Sequence, residues 1–183
     1  MRAAPAFRII GGQWRGRKIR FSPSPALRVS GDRVRESLFN CLGQRLDGKE
    51  CLDLFAGAGA LGLEAASRGA RRVVCVEREA AAARALRNAA EKLNAENVAV
   101  RCAAAADFLT ADKGEYDVIF LDPPFAEYAD DAAWSRLLSA AAARLAADGA
   151  AYCESGRYFT PPAEWRATRR RRAGGVFWQL LRR

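Results

Sequence analysis

Residues 51–69 read CLDLFAGAGALGLEAASRG. CLDLF (51–55) is a short apolar run that ends on a glycine loop, and LGLEAASRG (61–69) continues as a helical pattern stopped by Gly69. A strand, a glycine turn and a helix in that order form the opening unit of an open α/β sheet. Outward from this unit the alternation repeats. RVVCVE (72–77) reads as a strand ending in an acid, and REAAAARALRNAAEKLNA (78–95) as a long helix. NVAVRC (97–102) reads as a strand, and YDVIFLDPPF (116–125) as a strand broken by Pro-Pro. The Ala/Leu-rich stretch 130–147 reads as a helix and AAYCE (150–154) as a further strand. The predicted fold is α/β: a Rossmann-like, mostly parallel sheet with helices on both faces. WRATRRRR (165–172) and VFWQLLRR (176–183) flank AGG and read as a closing hairpin, antiparallel at one edge.

Upstream, FRIIGGQWRGRKIRF (7–21) holds two β-forming runs around Gly-Gln-Trp-Arg-Gly, which predicts a β-hairpin. SPSPALRVSG (22–31) is a Pro/Ser loop. Asp32 is placed to cap a helix through DRVRESLFNCLGQRL (32–46), with Val34, Leu38, Leu42 and Leu46 at helical spacing and Gly48 beyond its end. Residues 1–31 are thus expected to form a basic hairpin extension with its loop, and 32–183 the main domain. A chain of 183 residues is long enough for one domain with a sizeable core.

Composition removes several functions. With 50% hydrophobic and 28% charged residues the chain is globular. No run reaches the ~18 apolar residues of a membrane span, and MRAAPAFRII lacks the apolar core of a signal peptide, so the cytoplasm is the expected location. There is no histidine, which removes Ser-His and Cys-His nucleophile pairs and the commonest metal ligand. None of the five cysteines sits in a C-x-x-C pair, so neither a zinc site nor a disulfide framework is expected. Cys51, Cys75 and Cys153 lie in apolar runs and read as small buried hydrophobes. No metal is expected, and a monomer is the expected state.

The net charge of +9 is unevenly spread: residues 1–35 carry +8, residues 157–183 carry +7, and the stretch between carries −6. If the fold brings the ends together, they form a basic surface suited to a polyanion.

The chemistry concentrates in two loops. Gly57-Ala-Gly59-Ala-Leu-Gly62 is a literal G-x-G-x-x-G, which suits close backbone approach to an adenosine-containing cofactor. Glu77, at the next strand end, is placed to accept from a ribose diol. Asp53 precedes the glycines. A carboxylate there repels a pyrophosphate but welcomes an ammonium, and S-adenosyl-L-methionine carries an amine and a sulfonium without a phosphate. Asp107 is positioned to accept from the adenine amine, with Phe108 beside the ring; a helix cap before FLTAD is the competing reading. The expected cofactor-binding set is Asp53, Phe55, Gly57, Gly59, Glu77, Asp107 and Phe108. The second loop, Asp122-Pro123-Pro124-Phe125, ends a strand facing the same crevice. An exocyclic amine on a nucleobase is a poor nucleophile because its lone pair is delocalised. Asp122 and the Pro123 carbonyl supply two acceptors for its hydrogens, the prolines fix the turn, and Phe125 offers a face for an extruded base. Neither histidine nor metal is needed.

These motifs resemble the class I S-adenosylmethionine-dependent methyltransferases that act on exocyclic amines. The segments Arg8–Lys18 (RIIGGQWRGRK), Leu27-Arg28 and Asp32–Asn40 (DRVRESLFN) narrow the resemblance to the RsmD family of bacterial 16S ribosomal RNA guanine-N2 methyltransferases. It runs from about residue 7 to 183. One departure stands out: Val29-Ser30-Gly31 occupies the place where that family usually shows Pro-Thr-Thr. The resemblance implies a seven-stranded sheet with a reversed final strand, methylation of one guanine in 16S rRNA or the assembling small subunit, and a hairpin that helps to hold RNA. The candidate RNA contacts are Arg8, Trp14, Arg15, Arg17, Lys18, Arg20, Arg28 and Arg33; in the run Arg169–Arg172, alternation lets about two of the four meet RNA. Three other readings remain at this level: adenine-N6 methylation of DNA or RNA, a non-catalytic RNA-binding assembly factor on the same scaffold, and, opposed by Asp53 and the Pro-Pro loop, a nicotinamide oxidoreductase.

Overall fold

The computed structural model describes residues 5–22 and 29–183. Arg28 and most of the predicted Pro/Ser loop lie outside the described residues. The first strands, β1 (Ala6–Arg8) and β2 (Lys18–Arg20), pair antiparallel as a separate two-stranded sheet. There follow α1 (Asp32–Cys41), β3 (Glu50–Asp53), α2 (Ala60–Ser67), β4 (Arg72–Glu77), α3 (Ala80–Lys92), β5 (Val98–Cys102), α4 (Ala105–Ala111), β6 (Tyr116–Leu121), α5 (Asp131–Ala142) and β7 (Leu145–Ser155), then β8 (Arg166–Ala173) and β9 (Val176–Arg182). The main sheet has the order β5-β4-β3-β6-β7-β9-β8. Its first five strands are parallel. β9 runs antiparallel between β7 and β8.

Alternation along the strands explains why both faces are covered. Val73, Cys75, Val118, Phe120 and Tyr152 enter one core with residues of α1, α2 and α3. Val74, Val76, Ile119, Leu121 and Cys153 enter the other with α4 and α5. Strands buried on both faces must be apolar throughout, which is why they read as continuous runs. Cys51, Cys75 and Cys153 are buried thiols, as expected from their runs. Among the described residues no helix is long and apolar enough to cross a membrane.

Some predicted boundaries shift. α1 ends at Cys41 rather than near residue 46, because Gly43 (φ 95°) and Gln44 (φ 64°) turn left-handed. Asp32 is not its cap: Gly31 holds that position, and the Asp32 carboxylate instead accepts from Arg35 Nη2 at 2.6 Å. α5 stops at Ala142, and residues 145–149 join β7, with a register shift opposite Tyr116–Val118. Ala/Leu composition does not separate these two fates.

The N-terminal hairpin is knitted into the fold. Phe7, Ile9, Trp14 and Ile19 enter the core shared with α1 and α2. The loop at 11–14 sits on the carboxyl end of α2: Gln13 N–H donates to Ser67 O at 2.8 Å, Trp14 N–H to Ser67 Oγ at 3.0 Å, and Ser67 Oγ to Gly11 O at 2.6 Å. Gly12 has φ +76°, and a Cβ there would stand 1.8 Å from Ser67 O, so only glycine fits. Beneath the loop Glu64 is fully buried. Its carboxylate accepts from the N–H groups of Ile10 and Gly11 at 2.8 Å each, from Arg35 Nη1 at 3.2 Å and from Arg68 Nε at 2.8 Å. Removing the charge of a buried, hydrogen-bonded pair leaves its partners uncompensated. Glu64→Gln, nearly isosteric, is therefore expected to cost about 3–5 kcal/mol, read as a lowered urea midpoint at unchanged m-value.

Candidate active site

Chain order runs from β3 outward to β5, then returns to β6 on the other side of β3. The crevice at the carboxyl ends of β3 and β6 is therefore the switch point where open α/β sheets bind ligands. It is narrow, and Ser30, Asp53, Phe55, Ala58, Leu61 and Asp122 are among the residues that line it. A more open groove at the opposite end of the sheet is lined by Glu50, Arg71, Arg72 and Asn97. Arg71 and Arg72 there lie 2.6 and 3.4 Å from Glu50.

Asp53 ends β3 almost without exposure, and its Oδ2 accepts from Gly62 N–H at 2.8 Å, the third residue of α2. Asp53 thus caps α2 from a distance, where the helix amides are otherwise unpaired. Burial pushes its pKa up from 3.8 to about 7; the Gly62 and Phe55 amides pull it down and the Glu77 charge adds to the rise. Gly57 (φ 52°) and Gly59 (φ 83°) carry the turn between Asp53 and α2, and a Cβ on Gly59 would meet Leu86 Cδ1 at 2.3 Å. Glu77 ends β4 half-buried; its Oε2 accepts from Gly57 N–H at 2.9 Å and its Oε1 from Glu79 N–H at 2.7 Å. The structure therefore brings Asp53, Phe55, Gly57, Gly59 and Glu77 together around one loop.

Asp122 follows β6 directly across the crevice mouth. Pro123 is buried, and Pro124 O accepts from Glu127 N–H at 3.0 Å to close a turn that carries Phe125. Two contacts tie this turn to the glycine-loop side. Phe55 packs edge-on against Tyr128 at 5.8 Å, and Arg78 holds Glu127 through bonds of 3.2 and 2.8 Å.

Other predicted residues lie elsewhere. Asp107 is exposed on the first turn of α4, whose cap is Ala104, so it is not a helix cap. Phe108 is buried in the core under α4, because the inward face of a short amphipathic helix must be apolar. The Trp14 indole is only 9% exposed, drawn into the core against α2. Arg8, Arg15, Arg17, Lys18, Arg20 and Arg33 are all exposed. On the hairpin, Arg8 and Lys18 stand directly opposite one another, a like-charge pairing that costs energy unless an anion lies between. Arg8 also reaches Asp32 at 3.6 Å.

Sequence reasoning passed over a second layer. Ser30 is buried, and its Oγ donates to Asp122 Oδ2 at 3.1 Å. Arg35, fully buried, donates Nε to Ser30 O at 3.0 Å, Nη2 to Arg8 O at 2.9 Å and Nη1 to Glu64. The Asp122 carboxylate is thus coupled, through Ser30 and Arg35, to the network under the hairpin. The signal was present as an acid and an arginine on helix faces otherwise apolar.

The chemistry of the lining is one-sided: carboxylates face the crevice, and among the described residues no basic side chain lines it. Such a donor set fits a small cationic cofactor and rejects a phosphate. Comparison with known proteins agrees with the geometry. A family model described as conserved hypothetical protein 95 matches residues 7–182. Ribosomal RNA small subunit methyltransferase D of Escherichia coli K12 is 38% identical over 187 residues, spanning 96% of this chain and 89% of that protein. The solved structure of the Escherichia coli protein yhhF superposes with a TM-score of 0.86 at 38% identity, covering 98% of each chain. A Thermus thermophilus protein superposes with a TM-score of 0.80 at 31% identity over 97% of this chain and 99% of that one. The chain belongs to the RsmD family of small-subunit ribosomal RNA methyltransferases.

Proposed function

We propose that this protein transfers a methyl group from S-adenosyl-L-methionine to the exocyclic N2 amine of a guanine in 16S ribosomal RNA, free or in the assembling small subunit. The observation that carries this reading is the pair of carboxylates, Asp53 and Asp122, facing one crevice at the switch point of the sheet. The relative named for small-subunit ribosomal RNA methylation supports it.

When bound, S-adenosyl-L-methionine supplies a methyl group already activated on a sulfonium. Asp53 and Glu77 would hold its cationic and ribose ends, with Gly57 and Gly59 allowing close approach. This leaves the chain to orient the nucleophile. Asp122, whose Oδ2 accepts from the Ser30 hydroxyl at 3.1 Å, would accept an N–H of the amine. The Pro123 carbonyl supplies the second acceptor, and together they favour the pyramidal amine whose lone pair is localised. Phe125 stacks the extruded base. Fixing donor and amine in line supplies up to ~7–11 kcal/mol of the barrier reduction, and the amine releases one proton per methyl transferred.

Asp122→Ala is expected to keep donor binding, measured by calorimetry, and to lose about 10²–10³-fold in kcat. Labelled methyl transfer to undermethylated small-subunit RNA, followed by nucleoside mass spectrometry, should yield N2-methylguanosine; N6-methyladenosine as the product would overturn the assignment.

Asp53 gives a pH signature. With its pKa raised to about 7, the folded protein holds a proton that the unfolded chain loses above about 4. Stability contributed by this group therefore falls as pH climbs from about 4 to about 7. Donor affinity moves the other way: a cation prefers the ionised form, so affinity weakens below about pH 7 and binding at pH 6 releases a proton. Asp53→Asn is expected to raise the melting temperature at pH 8, weaken donor binding there, and flatten its pH dependence. Calorimetry in two buffers of different ionisation enthalpy reads the proton release directly.

A further inference from the structure

The two basic ends of the chain sit in different sheets, β1–β2 and the edge of the main sheet. β8 is the outermost strand of the main sheet, and Arg169, Arg170, Arg171 and Arg172 on it are all exposed. Among the described residues no carboxylate lies within 4.0 Å of any of them. Their hydrogen bonds go to uncharged oxygens: Arg169 to Thr168 O at 2.8 Å, Arg170 to Gln179 Oε1 at 2.8 Å, Arg171 to Arg170 O at 3.0 Å and Arg172 to Gly174 O at 2.9 Å. One or two charges suffice to guard a sheet edge. Four in succession repel one another and call for an anion.

Beside them stands an aromatic tier. The Arg172 guanidinium lies over the Phe177 ring at 4.9 Å, and Phe177 meets Tyr158 edge-on at 4.9 Å. Tyr158 is 39% exposed, the large hydrophobic side chain most open to solvent among the described residues. Register sets where this tier sits. Arg172 pairs with Phe177, and Phe177 with Ser155 at the carboxyl end of β7. This is the crevice end of the sheet. The next residue, Gly156, abuts Phe125, whose Cδ2 would lie 3.2 Å from a Cβ at that glycine. β8 is three strands from β6, about 14 Å at ordinary strand spacing.

We propose that the β8–β9 edge is a second RNA-binding surface: Arg170 and Arg172, which alternation and register place on the face of Phe177, hold phosphates of the strand that leaves the crevice, and the Tyr158–Phe177–Arg172 tier stacks an unpaired base flanking the target. Arginine with exposed aromatic faces is the combination by which proteins hold single-stranded RNA. The hairpin and this edge would then grip the RNA on two sides of the extruded base. The proposal rests on the reading of the crevice as an RNA methyltransferase site.

The test measures RNA binding without donor, so that it does not depend on turnover. An unmethylated small-subunit ribosomal RNA transcript is titrated with the parent protein, R169Q/R170Q/R171Q/R172Q and Tyr158→Ala between 50 and 200 mM salt. The arginine variant is expected to flatten the log–log salt slope by about 0.7 for each phosphate no longer neutralised, and to raise KM for RNA with kcat and donor affinity unchanged. Tyr158→Ala is expected to weaken binding about 5- to 150-fold with the slope retained. Single Arg170→Gln, at an exposed position, carries the same slope test if the quadruple variant melts early. A parent-like slope and KM, or self-association as the only change, would reduce β8 to an edge guard and overturn the proposal. Weaker binding to assembled particles with parent-like binding to the naked transcript would assign the surface to a protein and overturn it as well. A parent that binds RNA through this edge but methylates no guanine would instead sink the proposed function and leave the surface standing.

Discussion

The carboxylate of Glu64, with no exposed surface, receives two backbone amides of the hairpin and two guanidinium groups, one from α1 and one from just beyond its own helix. Burying such charges is costly, and the Coulomb attraction offsets the cost only when every donor and acceptor is met. Here Arg35 is met on all sides, by Glu64, Asp32, Arg8 O and Ser30 O. Arg35 and Arg68 also lie 5.3 and 4.7 Å from the Phe7 and Phe39 rings, so their flat faces are covered too. An apolar replacement would pack as well but would leave the amides of Ile10 and Gly11 without an acceptor. What the network fixes is register: which part of the hairpin lies on α2, and how far Ser30 stands from Asp122.

That register matters to the proposed function, in which two ligands of opposite sign are held within a short span. The central stretch of the chain carries −6 and the two ends +8 and +7. The fold converts this linear separation into a spatial one, with carboxylates inside the crevice and arginines on the hairpin and sheet edge. At physiological ionic strength the field of an exposed charge falls off over about 8 Å in water, while buried carboxylates such as Asp53 are screened far less. A basic side chain in the crevice would repel a sulfonium donor. An acidic one on the rim would repel the RNA backbone.

The sheet is legible in the sequence because strands buried on both faces must be apolar throughout, and the glycine loop is legible because Gly59 stands where a Cβ would meet Leu86. Asp53, Glu77 and Asp122 are legible because each ends a strand at the switch point, a position fixed by topology. Side-chain direction is another matter. Trp14 looks like a stacking residue among arginines until tertiary packing draws its indole into the core. Phe108 follows the same logic on α4. The end of α1 is set by two left-handed residues, Gly43 and Gln44, the second of which no propensity announces. Ser30, Arg35 and Glu64 were invisible as a unit because their coupling spans 34 residues of chain and depends on how the hairpin closes on α2.

The glycine-loop side of the crevice is ordered before any ligand arrives. Each oxygen of Glu77 already holds one amide, Gly57 N–H or Glu79 N–H. A carboxylate offers about four acceptor sites, so under the proposed function a ribose diol would not need to displace the chain's own bonds to Glu77. Asp53 is set in the same way by Gly62 N–H, with burial holding its pKa high until a cation arrives. The folded state is therefore less stable above neutral pH than it would be with a neutral residue there, which is the usual exchange of stability for function at a binding site. In the proposed function the charge that burial disfavours at Asp53 is the one a cationic donor would neutralise, so the same burial that raises its pKa would strengthen its hold on the cation.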